Sequence, residues 1–131
     1  MTLLTKQELL DFLQTADLKL KPRQTKLSLP IIQRIHFKMQ LNVSLPNILV
    51  DDDLIVNGHH RYICSQLLNK HIGIDQWIKP DGARRMEWHE ILVDDADYDT
   101  KEQILAHNKR DAAYSGVDIE VFNRLILEKN D

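Results

Sequence analysis

The stretch that decides the fold is LIVNGHHRYICSQLL, residues 54–68. Residues 54–56 are all apolar, which is typical of a buried strand, whereas residues 63–68 carry apolar side chains at the spacing of an amphipathic helix. One glycine, two histidines and an arginine stand between them, at residues 58–61. The sequence therefore predicts a strand that turns sharply into a helix, with potentially cationic side chains at the turn.

The segments on either side predict a small α+β domain with a short mixed sheet flanked by helices. Thr5 and Glu8 have the spacing of a capping box, and Pro30 suits the first turn of a second helix. The predicted order is α-α-β-β-α-β-α-α. Its helices cover residues 5–13, about 30–39, 60–70, 101–113 and 119–128; its strands cover 47–50, 54–56 and 86–93, with a hairpin turn at 51–53.

Composition narrows the class of protein. The chain has 131 residues, 43% hydrophobic and 28% charged, which predicts one domain over residues 1–131. One cysteine, Cys64, cannot form an internal disulfide, and no leader or membrane-length apolar run is evident, so we expect a cytoplasmic protein without a membrane partner. A net charge of −3 argues against coating long nucleic acid and favours a local cationic site for a small anion.

The turn at residues 58–61 has the chemistry of an anion site. A helix start presents unpaired N–H groups and partial positive charge, and Gly58 allows an anion to approach the backbone. Arg61 adds a planar fork of donors suited to phosphate. His59 and His60 titrate near neutral pH, so either is a candidate general acid or base. The alternative is that the glycine serves the turn alone and Arg61 pairs with the acids at 51–53.

The central stretch resembles the N-terminal domain of the partitioning protein ParB and its relative sulfiredoxin. Gly58, His60, Arg61 and Tyr62 match the Gly-Cys-His-Arg-Tyr-like motif of sulfiredoxins, with His59 at the position of the reactive cysteine. Three further segments resemble the family more loosely, and the resemblance covers about residues 18–115. These segments are KPRQ at 21–24, LPNILV at 45–50 and ILAHNKRD at 104–111.

The resemblance implies a ParB/sulfiredoxin-like fold that binds a nucleotide, ATP or CTP, through its phosphates. It implies an enzyme that hydrolyses a nucleotide or a phosphodiester, with nucleic acid as one possible substrate and His60 or His59 as the catalytic group. The alternatives are a phosphotransferase resembling free-serine kinases and a non-catalytic module that senses a nucleotide or binds a partner. The phosphate- or nucleotide-binding residues it implies are Asn57, Gly58, His59, His60, Arg61, Arg23, His107 and Asn108.

Two departures from the family limit what the resemblance implies. His59 in place of cysteine argues against sulfinic-acid reduction, and His107 stands where partitioning proteins have a glutamate. A Mg²⁺ ion beside the phosphates is a further expectation, with Asp51 and Asp53 as its candidate ligands, although a hairpin turn favours acids in any case. The acids within residues 94–99 are expected in a solvated loop and helix cap.

Overall fold

The predicted strand-to-helix turn lies at the centre of the structure, a computed structural model that describes residues 3–130. Strands β2 (Ile48–Asp51) and β3 (Leu54–Asn57) form an antiparallel hairpin, and β3 passes through Gly58 into helix α3 (His59–Leu67). The hairpin and the helix confirm the interpretation of residues 47–68. The helix begins one residue earlier than predicted and ends three residues earlier.

The strands form two small sheets. The larger has the order β3-β2-β4, in which β4 (Ile74–Gln76) runs parallel to β2. The smaller pairs β1 (Lys26–Ser28) with β5 (Leu92–Asp94) in parallel. The domain is therefore α+β with a mixed sheet, as predicted, but neither β1 nor β4 was predicted.

The first two helices begin within one residue of the predicted positions, because their predicted caps form. Thr5 caps α1 (Lys6–Thr15) in a capping box with Glu8. The side chain of Ser28 accepts a hydrogen bond from the backbone of Ile31 and caps the next helix. The remaining helices are α2 (Leu29–Gln40), α4 (Lys101–Ser115), which Thr100 caps, and α5 (Ile119–Asn130).

The hydrophobic core lies between α1, α2, α3 and the larger sheet. Cys64 lies within it, fully buried, and burial raises the pKa of its thiol. Among the residues described, no helix combines the length and apolar character that crossing a membrane requires. Fully buried apolar members of the core include Leu9, Leu27, Ile32, Ile48, Ile55 and Ile63.

The predicted strand at residues 86–93 is wrong over most of its length. Trp88–Glu90 instead form a 3-10 turn, and only the last two predicted residues belong to β5. Glu87 and Glu90 hydrogen-bond reciprocally to the backbone at the start of this turn. The indole of Trp88 is buried and donates to the carbonyl of Leu20 at 2.8 Å.

Candidate functional site

Gly58 makes the turn into α3 possible. Its φ of 104° lies in the region that favours glycine, and a Cβ added there would lie 2.5 Å from Cγ2 of Ile48. Of the side chains that the structure describes, none caps α3, and its first backbone hydrogen bond runs from the N–H of Tyr62 to the carbonyl of Gly58 at 2.9 Å. The amides of the first turn therefore remain available to an anion.

Arg61 lies on this first turn and contacts a cavity beside it. Its Nη2 donates to the carbonyl of Asn47 at 3.4 Å, and its buried Nε has no hydrogen-bond partner among the described residues. Of the carboxylates in the described residues, none is within ion-pair distance of it. Burial lowers the pKa of Arg61, but a guanidinium stays charged in proteins. In the part of the chain that the structure describes, Arg61 is thus a partly buried cation without a counter-ion, contrary to the alternative that it pairs with the hairpin acids.

His60 also contacts the cavity, but its Nε2 is occupied. The backbone N–H of Ser28 donates to this nitrogen at 3.0 Å. Burial lowers the pKa of His60 to about 4, so the ring is neutral near pH 7 and Nδ1 carries its proton. His60 therefore offers a hydrogen-bond donor and not a base, and its predicted role as general acid or base does not fit this geometry.

His59 points into the core and does not line the cavity, so its predicted contact with a phosphate does not fit its placement. Only 1% of its surface is exposed, and its Nε2 accepts from the backbone N–H of Arg23 at 3.1 Å. Its ring lies edge-on to Trp88, with the centroids 6.3 Å apart. Burial is the main cause that lowers its pKa to about 3.

The predicted phosphate ligand Arg23 is likewise engaged elsewhere. Its Nε and Nη2 donate to the carbonyl of Val56 at 3.0 and 2.7 Å. This fork fixes the connection before β1 against the end of β3. The structure thus gives Arg23 the role of holding the strand that leads into Gly58.

The cavity itself has a volume of about 220 Å³ and lies between α2, the start of α3 and α4. It brings together six of the residues predicted for the site, together with five charged residues that were not predicted. Four cations and two carboxylates line it, so its lining is net positive although the whole chain is net negative. The predicted members are Asn57, Gly58, His60, Arg61, His107 and Asn108; the others are Arg34, Lys38, Asp99, Arg110 and Asp111.

Two of the cavity cations that the sequence did not predict lie on α2, and aspartates bind both of them. Arg34 forms a two-pronged ion pair with Asp97, at 2.6 and 2.9 Å, and also contacts Asp99 at 3.3 Å. Lys38 contacts Asp111 at 2.7 Å in a pair whose side chains are 6% and 3% exposed. The sequence predicted that the acids of residues 94–99 lie in a solvated loop. That prediction is wrong for Asp97 and Asp99, which bind Arg34 on α2.

Asp111 also binds the fourth cation of the cavity. The Nε of Arg110 lies 3.0 Å from Oδ1 of Asp111. One carboxylate thus serves both Arg110 and Lys38, so the three cations other than Arg61 all have carboxylate partners. Arg61 differs from them in this respect.

His107 and Asn108 lie on α4 and face the same cavity. The Nδ1 of His107 lies 3.8 Å from Oδ2 of Asp99, and desolvation lowers the pKa of His107, so it is neutral near pH 7 and can accept a proton. Asn108 is 1% exposed; its Nδ2 donates to Asn123 at 3.0 Å, and its Oδ1 has no partner in the described part of the chain.

Asp51 and Asp53 lie outside the cavity and have other contacts. Asp51 accepts from the backbone N–H of Lys79 at 2.8 Å, and Asp53 forms a bidentate ion pair with Arg85. In residues 3–130, no cluster of three or more histidines, cysteines or acids is arranged to hold a metal ion. The two carboxylates therefore do not fit a magnesium site, and the ion stays a prediction.

Two of the five charged residues that were missed left a signal in the sequence. Arg34 and Lys38 are four residues apart on α2, so they share one face of a helix whose neighbouring positions are isoleucines. Charged side chains at helical spacing beside an apolar face indicate buried partners. Which acids supply those partners depends on how α4 packs, and the sequence does not determine that.

Comparison with known proteins adds no assignment: no family model matches the chain, and neither the curated proteins nor the solved structures contain a match. The likeness to the ParB and sulfiredoxin family therefore stays a prediction from the central motif.

Proposed function

We propose that this chain is a ParB/sulfiredoxin-like domain that binds the phosphate of a nucleotide, ATP or CTP, in the cavity at the start of α3, and hydrolyses it. The observation that supports this most directly is the partly buried guanidinium of Arg61, which faces the cavity and has no counter-ion among the described side chains. A desolvated cation of this kind costs free energy unless an anion pairs with it. The uncapped amides of α3 supply further donors to the same anion.

The size of the cavity favours a small phosphorylated molecule over a nucleic-acid chain. Pockets that enclose a drug-sized ligand measure about 300–1,000 Å³, so 220 Å³ suits a phosphate end with the rest of the ligand outside. The net charge of −3 also opposes the approach of a polyanion. A nucleoside polyphosphate is thus a better substrate than a phosphodiester backbone.

The proposed chemistry assigns a different role to each residue. Arg61 and the first amides of α3 hold the phosphate and stabilise the charge that grows on its oxygens. The Nδ1–H of His60 donates a further hydrogen bond, since its other nitrogen accepts from Ser28. His107, whose Nδ1 lies 3.8 Å from Oδ2 of Asp99, accepts a proton from the water that attacks phosphorus, and the bond to the leaving phosphate oxygen breaks.

Calorimetry with ATP, CTP and inorganic phosphate, with and without magnesium, tests the binding step. We expect Arg61→Ala to weaken binding at least tenfold, because a charge-assisted hydrogen bond contributes about 1.5–3 kcal/mol. The matched control is Arg84→Ala, which removes an exposed arginine with no contact to the cavity. No binding by any of these ligands, or equal loss in both variants, would contradict the proposal.

Phosphate release tests the hydrolytic step separately. His107→Ala should lower turnover by about 10²–10⁴-fold and leave the dissociation constant nearly unchanged, as expected for a proton acceptor. Binding without turnover would instead favour the nucleotide-sensing module. Transfer of the phosphate to an added hydroxyl compound in preference to water would favour the phosphotransferase.

A further inference from the structure

Strand β4 is an open edge of the larger sheet. It pairs with β2 on one side, through hydrogen bonds from Ile48 N to Gly73 O and from Trp77 N to Val50 O, both 2.9 Å. Because these groups alternate along a parallel strand, the N–H and C=O groups of residues 74 and 76 point away from β2. Among the described residues, no strand covers that side.

The edge continues beyond the three residues of β4. The N–H of Lys79 donates to a side-chain oxygen of Asp51 at 2.8 Å, so the carboxylate continues the row of acceptors after Val50. Residues 75, 77 and 79 thus face β2 with their amides, and residues 74, 76 and 78 face outward. All residues from 74 to 82 are exposed, and the exposed fractions of Trp77 and Ile78 are 60% and 83%.

We propose that two copies of this chain associate through this edge, in antiparallel register about a two-fold axis at Trp77. The outward-facing residues form the hydrogen-bonded pairs, so Gln76 pairs with Ile78 of the second copy. Trp77 then faces the same residue of the second copy at a non-hydrogen-bonded position, where opposite side chains are closest. A two-fold interface uses the same surface twice, as this register does.

The charges on the edge identify the occupant as a second copy. In this register Asp75 lies opposite Lys79 of the second copy, and Lys79 lies opposite its Asp75. The register centred on Gln76 would instead place Asp75 opposite Trp77, and both ion pairs would be lost. The edge is therefore complementary to itself in charge, in its aromatic side chain and in its free backbone groups.

Sedimentation velocity of the full chain, from about 10 μM to 1 mM, tests the dimer. We expect a monomer–dimer equilibrium with a weak dissociation constant, since the paired segment is short. Asp75→Lys and Lys79→Asp should each raise that constant about tenfold, because each places like charges opposite one another twice. The double variant should restore it. Glu102→Lys, an exposed charge reversal on α4, should leave it unchanged.

Each other result overturns the inference. A monomer throughout the range excludes the dimer, and a dimer that neither single variant weakens uses another surface. Single variants that weaken the dimer without recovery in the double variant exclude this register. Circular dichroism checks that each variant folds. If Asp75→Lys does not fold, the effects of Lys79→Asp and Trp77→Ser on the dissociation constant test the dimer instead. Tyr114→Ser, which removes another exposed aromatic side chain, is their control. None of these results depends on the proposed function.

Discussion

Replacing Gly58 by alanine should destabilise the domain strongly. The φ of 104° costs a residue with a Cβ about 1–3 kcal/mol. The new Cβ would also lie 2.5 Å from Cγ2 and 2.9 Å from Cβ of Ile48, whose side chain is fully buried and cannot move freely. Overpacking of this kind costs about 1–3 kcal/mol more. We therefore expect Gly58→Ala to reduce the free energy of unfolding by about 2–6 kcal/mol.

Urea denaturation followed by circular dichroism measures this loss, and Gly82→Ala separates its two causes. Gly82 has a φ of 76°, but a Cβ there would meet nothing within 4 Å. Gly82→Ala should therefore lose only the stability that the backbone conformation costs. The additional loss of free energy of unfolding in Gly58→Ala then measures the cost of the contact with Ile48. If Gly58→Ala lost no more stability than Gly82→Ala, packing against Ile48 would not be what requires glycine at the turn.

Three further predictions concern charges. The free energy of unfolding should decrease as the pH is lowered below 6.5, by about 1.4 kcal/mol per pH unit for each of His59 and His60. The reason is that their folded-state pKa values of about 3 and 4 lie below the ordinary value of 6.5. At low pH the unfolded chain binds protons that the folded chain does not, so the urea concentration at the midpoint of unfolding should decrease from pH 6.5 towards pH 4. A midpoint that stays constant down to pH 5 would refute the lowered pKa values of the two histidines. Asp111→Ala should cost about 3–5 kcal/mol, because it leaves Lys38 buried without its partner. Thermal denaturation of Asp95→Ala, which breaks the exposed pair with Lys6, is the control, and an equal loss there would contradict the reasoning. Arg61→Met should leave the unliganded domain as stable as wild type or more so, and should abolish the rise in melting temperature that the proposal expects phosphate or nucleotide to produce in the wild type. A large loss of stability without ligand would show instead that Arg61 has a structural role.

The parts of the fold that local signals determine could be predicted from the sequence. The capping box at Thr5, the serine before Pro30 and the glycine after β3 all act within a few residues, so α1, α2 and α3 begin at or near the predicted positions. The hairpin of β2 and β3 is equally local. The position of Arg61 at the start of a helix beside the cavity follows from the same turn.

The parts that depend on distant contacts could not be predicted. All three residues of β4 are exposed, so its sequence has no alternation, and β1 has three residues that pair with a strand 66 residues later. Residues 86–91 have strand-like apolar side chains, but two glutamates bind the local backbone and Trp88 reaches back to Leu20. His59 and His60 are adjacent residues of the same type, so the sequence could not tell which of them faces the site. The tertiary structure places His59 in the core and His60 at the cavity.

The proposed anion site can be reconciled with the acidic charge of the whole chain by the way charges are paired in the cavity. Arg34, Lys38 and Arg110 are each bound by an aspartate, so a ligand would have to compete with a carboxylate for any of them. Within the part of the chain that the structure describes, the one hydrogen bond of Arg61 is to a peptide carbonyl, at 3.4 Å, so under the proposal an anion would pair with it without displacing an acid. The other cations fix α2 and α4 around the cavity and add positive potential to it. An unpaired, partly buried guanidinium is expected to cost folding stability, and the proposed phosphate would recover that cost by pairing with it, as expected of a residue kept for binding and not for stability.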